Sequence, residues 1–207
     1  MKINPALLSK ILDWCYAKAL SGGGPFLSAE ALAREHLAKG GSALPAARRM
    51  IQWQVAKCAT SGFVTGLGGV VVLPAAVPAN LSSVLLLQLR MVMAVAHLGG
   101  YNPRQEEVKT LILACLTAGD ALALLRTVGV LPEKSTTTAV LPHLNEQAVQ
   151  RVRHQIQARL LAQSGRLGLL KLGKAVPLFG GVVGATLDAT ATREIGKAAC
   201  RVFLKAD

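Results

Sequence analysis

The chain has 207 residues, 52% hydrophobic and 16% charged, with a mean hydropathy of +0.42; this supports a substantial core in one large domain or two small ones but is low for a polytopic membrane protein. The formal net charge of +12 draws such a surface to anionic partners, namely phospholipid headgroups, nucleic acid or an acidic protein, although a plain basic soluble protein has the same composition. Aromatic residues make up only 4%, which leaves few stacking platforms for bases and few belt residues for a membrane interface.

Taken in order, the chain opens on MKINPALLSKILDWCYAKAL, whose apolar character is interrupted by Pro5, Lys10 and Asp13 and so does not read as a signal peptide. Asn4-Pro5 is a good cap for a helix with its stripe at Leu8, Ile11, Leu12 and Cys15, ending before Gly22-Gly23-Gly24. Ser28 caps a short helix through Leu37, and Gly40-Gly41-Ser42 closes that unit. Residues 1–42 thus read as a small N-terminal helical subdomain within a single domain spanning 1–207. Pro45 restarts a helix through Ala46, Met50, Trp53 and Lys57; Arg48, Arg49 and Lys57 suit a headgroup boundary or a solvated face equally.

From Cys58 to Leu89 the chain carries no formal charge. The first apolar arm, Cys58 to Leu73, is notched by Gly62, Gly66, Gly68 and Gly69, and Pro74 and Pro78 form an elbow. Asn80 caps the second arm, Leu81 to Leu98. The first arm has 16 residues, roughly 24 Å as a helix, against a hydrocarbon core of about 30 Å. Arg90 sits in mid-arm, where a charge in lipid is costly. Two independent spans are disfavoured; a hairpin in the protein's own core is the first reading, and a re-entrant or inducibly inserted hairpin the second.

After Gly99-Gly100, Asn102-Pro103 starts a helix with Val108, Leu111, Ile112, Cys115 and Leu116 on its apolar stripe. A second apolar helix passes through Leu125 and Val128, and residues 129–144 form a loop. Asn145 caps a long helix to about Gln163, with Val149, Val152, Ile156 and Leu160 on one face. Between Gln147 and Leu187 there is no acidic residue, and Arg151, Arg153, Arg159, Arg166, Lys171 and Lys174 form the clearest basic patch, suited to an anionic membrane surface or simply to solvent. The last helix opens at Pro177; Gly180 and Gly184 repeat the small-residue notches and are expected to face the first arm. Asp188 lies in a neutral stretch and is expected to bond Thr192 or to pair with Arg90 across the core. No long strand signal appears, so the fold is expected to be all-α: a compact helical bundle around a central Gly/Pro-rich apolar hairpin.

The chemistry-bearing motifs are mostly negative. GFVTGLGG and LFGGVVGA lack the Gly-Lys-Ser/Thr ending of a phosphate loop and the spacing of a dinucleotide turn. Ser61 stands in no nucleophile elbow. The four cysteines form no CxxC pair and read as buried free thiols, and the four histidines show no ligand spacing; neither a metal nor a cofactor is expected. Helix-turn-helix, RNA-recognition and zinc-finger signatures are missing, so no nucleic-acid partner is expected.

The run ATSGFVTGLGGVVVLPAAVPANLSSVLLLQLRMVMAVAHLGGYN and the terminal VPLFGGVVGATLDATATREIGKAACRVF resemble the hallmark blocks of the EcsC family. The two blocks cover roughly a third of the chain, and the first forty residues and the segment near 130–144 match poorly. The resemblance implies a mostly bacterial, membrane-linked accessory protein, named from a gene beside an ABC-transporter operon, and it transfers no catalytic residue. The functional expectation is a non-catalytic, lipid-binding accessory protein, cytoplasmic and peripheral to the inner face of the membrane, with anionic phospholipid and a transporter or secretion partner. In this reading the basic helix engages lipid, and the neutral hairpin lines a lipid-sized cavity or inserts reversibly. The alternatives are a hydrolase acting on lipid or peptide, with Asp188 near a Thr or Ser in its site, and a protein-binding adaptor.

Overall fold

A computed structural model describes residues 4–23, 27–39, 41–59, 79–117, 121–131, 144–170 and 177–204, with the side chains of 58–59, 79–82, 163–170 and 177–187 outside that description. Eight helices and no strands make up the described residues: α1 (Pro5–Ser21), α2 (Ala29–Ala38), α3 (Ala43–Ala59), α4 (Ala79–Leu98), α5 (Glu106–Cys115), α6 (Ala121–Thr127), α7 (Glu146–Leu170) and α8 (Pro177–Phe203). The first arm of the expected hairpin and its elbow, with Gly62, Gly66, Gly69, Pro74 and Pro78, lie outside the described residues, as do Lys171, Lys174 and residues 132–143. Gly180 and Gly184 lie in α8, but the arm they were expected to face is outside the description.

Local chemistry sets several helix ends. The Asn4 side chain accepts from the Leu7 N–H at 2.8 Å, Ser28 from Ala31 at 3.1 Å, and Asn145 from Ala148 at 2.8 Å. Each satisfies an amide left without a partner in a first turn. Gly22 ends α1 with φ 69, a left-handed conformation in which glycine meets no Cβ clash.

Four boundaries depart from the sequence reading, the first being α3, which opens at Ala43 and not at Pro45. α5 starts at Glu106 and not at Asn102-Pro103, because residues 102–105 close a turn: the Asn102 carbonyl accepts from Gln105 at 3.1 Å and its side chain from Arg104 at 3.0 Å. The Tyr16 hydroxyl donates to the Pro103 carbonyl at 2.7 Å and ties that turn to α1. α7 runs on to Leu170, beyond Gln163, since no proline interrupts it and its two internal glycines, Gly165 and Gly168, cost only about 1 kcal/mol each. α4 opens at Ala79, so Asn80 lies within its first turn and not ahead of it.

The core is organised around α4. Every residue from Leu85 to Ala96 is buried, and the helix packs against α1, α2, α3, α5 and α8. A helix apolar on all sides must be covered on all sides; the uncharged run supplies that helix, and its neighbours supply the cover. Leu87, Leu89, Met91 and Met93 are each at most 1% exposed and stabilise the fold by about 2 kcal/mol apiece. For this arm the protein's own core is the observed setting, and among the described residues no helix is long and apolar enough to cross a membrane.

Two close approaches fix the registers around α4 and α8. Gln88 meets Thr192, and a Cβ on Gly99 would lie 2.1 Å from the Phe203 carbonyl oxygen, so α4 and α8 run parallel. α3 runs antiparallel to α8: a Cβ on Gly196 would come within 2.8 Å of the Ile51 side chain, while Arg48 lies beside Cys200.

The Gly99 contact is with backbone, which cannot rotate aside. Gly99→Ala is expected to destabilise the protein by about 1–3 kcal/mol, measured by urea unfolding, with Gly196→Ala costing less because the Ile51 side chain can shift. An unchanged midpoint for Gly99→Ala would show that α4 and α8 do not meet there.

Candidate functional site

The basic patch expected on α7 is divided by the fold. Arg151 points to solvent, whereas Arg153 turns toward α5, where its Nη2 donates to the Glu106 carboxylate and its Nε to the Thr110 hydroxyl at 3.4 Å. Arg153 therefore helps hold α7 on α5, with its charge already matched. Arg159 is half-buried, and Arg166 lies in the final turns of α7, where side chains are outside the description.

Arg90 is 4% exposed in the middle of α4, and its Nη1 lies 3.4 Å from the Leu27 carbonyl that accepts from it. Burial lowers its pKa to about 10, so it stays charged at neutral pH. Asp188 is half-buried on α8, one turn before Thr192. Thr192 is fully buried and accepts from Gln88 Nε2 at 3.1 Å. The α4–α8 seam thus holds a closed polar contact, worth about 1 kcal/mol net and specific in register.

α3 separates its side chains in a way the sequence did not announce. Ala46, Ala47, Met50, Ile51 and Gln54 face inward, and Arg48, Arg49, Gln52 and Trp53 face out. Trp53 is 46% exposed; the Lys57 ammonium lies 3.4 Å from its ring centre, and the His36 ring stands 6.1 Å away. The Lys57 pKa is lowered, first by burial and then by the nearby Arg90 guanidinium. Gln54 is fully buried, and among the described residues neither its amide nitrogen nor its oxygen finds a partner. The sequence reading put Trp53 in one run with Ala46 and Met50. The signal against that was Gln54, since the rotation that buries it turns Trp53 outward.

The described cysteines are wholly or partly withdrawn from water. Burial pushes the Cys15 thiol up to about 12 and Cys200 to about 11, and it raises Cys115 further; buried thiols of this kind are inert near neutral pH. Among the described residues no group of His, Cys, Asp and Glu could hold a metal ion.

Two histidines give the fold a pH dependence. Burial is the largest cause lowering the pKa of both; Glu35 opposes it at His36, where Lys39 and Arg49 add to it, and Glu30 opposes it at His97, where Arg34 adds to it. The unfolded chain takes up these protons first, from about pH 6.5 downward. Stability is therefore full above that pH and lost as pH falls through the lower folded values. The melting temperature is expected to fall between neutrality and pH 5, and a His36→Gln/His97→Gln double variant is expected to flatten that slope. An equally steep slope in the variant would assign the loss to other groups.

The sequence model of the EcsC protein family matches residues 40–205. Among curated proteins, the chain is 27% identical over 147 residues to "Uncharacterized protein YdbA" of Bacillus subtilis (strain 168), an alignment covering 70% of this chain and 50% of that protein. The chain thus spans about half the length of the curated relative it matches. No solved structure matches it.

Proposed function

The chain belongs to the EcsC protein family, and we propose that it is a non-catalytic, peripheral membrane-associated accessory protein that binds anionic lipid. The reading is carried by its unbalanced surface charge. Lys and Arg number 23 against 11 Asp and Glu, a net charge of +12, and the surface acids Asp13, Glu30, Glu35, Glu106 and Glu194 are each already engaged in an ion pair. A surface of that kind concentrates on anionic lipid, with each well-placed Lys or Arg adding about 1 kcal/mol. With α4 enclosed by its neighbours, contact with the bilayer is made by surface side chains at headgroup depth. Its place is the inner face of the membrane, where anionic lipid is found, and its work is done beside a transporter or secretion apparatus.

Vesicle co-sedimentation tests the proposal. The bound fraction is expected to rise with the content of anionic phospholipid and to fall as salt screens the attraction. Binding that ignores anionic content, or no binding at low salt, would contradict it.

A further inference from the structure

The outer face of α3 breaks the rule that apolar side chains turn in and polar ones out. Trp53 is 46% exposed, while Gln54, the next residue, is 0% exposed with an amide that no group among the described residues satisfies. Both halves of that arrangement disfavour the isolated fold. An exposed indole beside a buried amide that has no partner among the described residues is the mark of a working surface. The other large apolar side chains exposed among the described residues are Leu27 and Leu37, one just ahead of α2 and one near its end. α2 packs beside α3, and His36, next to Leu37, meets the Trp53 ring.

Charge identifies the occupant. α3 carries Arg48, Arg49 and Lys57 and no acidic residue. The acids of α2 are offset within their own helix, Glu30 by Arg34 and Glu35 by Lys39. Across the α3–α8 seam, Arg193 and Arg201 are also exposed. Arg49, Trp53 and Lys57 follow one another at four-residue steps on one line of the helix. An indole set between cationic side chains is the arrangement that sits at headgroup depth, its ring among the upper acyl carbons and the cations on the phosphates.

We propose that the α2–α3 face, centred on Trp53, is where the protein docks on an anionic membrane, and that the exposed side of α7 is not. This rests on the lipid-binding reading above and adds to it the face that makes contact.

The test uses the full chain and vesicles of phosphatidylcholine with and without phosphatidylglycerol. Trp53→Ala is expected to weaken binding to the anionic vesicles at least fivefold. The Arg48→Gln/Arg49→Gln pair should cost about fivefold per charge, and Arg151→Gln on α7 less than twofold. All of these side chains are exposed, and each variant's melting curve checks that it folds. In the unaltered protein, indole emission should shift to the blue when anionic vesicles are added. Binding retained by Trp53→Ala and by the Arg48/Arg49 pair but lost by Arg151→Gln would overturn this inference and leave the lipid-binding reading standing. An unaltered protein that ignores every vesicle would overturn both.

Discussion

Burial of α4 on all sides is the constraint from which the rest of the architecture follows. Twelve consecutive residues, Leu85 to Ala96, are withdrawn from water, so no face of this helix is left for solvent. Five other helices must supply its surroundings, and α1, α2, α3, α5 and α8 do so. Close packing at the ends of the seam then depends on missing side chains. Gly99 lets α4 approach the Phe203 carbonyl, and Gly196 lets α8 approach Ile51. A methyl group at either place has to displace something.

The polar groups inside this core divide into settled and unsettled. Gln88 and Thr192 satisfy one another across the α4–α8 seam, and the Tyr16 hydroxyl satisfies Pro103. Burial and the Glu106 charge both raise the Tyr16 pKa, so the phenol remains a donor at any physiological pH. Gln54 has no partner among the described residues, and it lies on the helix that turns its tryptophan outward. The surface ion pairs contribute little each, but Arg153 and Glu106 join α7 to α5, and Lys109 and Asp13 join α5 to α1.

Much of the fold was legible because it rests on local chemistry. Asn4, Ser28 and Asn145 announce helix starts, and Gly22 announces an end. The apolar stripe Val108, Leu111, Ile112 and Cys115 is buried as its spacing implies. Uncharged composition marked α4 as hidden, but it could not say from what, since lipid and protein core ask for the same side chains; Arg90 tipped that balance. The candidate site was less legible because it depends on how helices rotate against their neighbours. A row of arginines on α7 reads as one patch until Glu106 arrives from another part of the chain and claims Arg153. The outward turn of Trp53 depends on which face α3 gives to α8. Family membership was readable from the Gly-Pro pattern, and the matched region covers residues 40–205.

The central claim is that α4 is kept from water by protein and stays so when the surface meets lipid. Hydrogen–deuterium exchange tests it most directly. Amides of residues 85–96 should be the slowest in the chain, with the same rates in the presence of anionic vesicles. Rapid exchange along α4 in the free protein would contradict the account, because a helix enclosed on every side opens only when the whole bundle does.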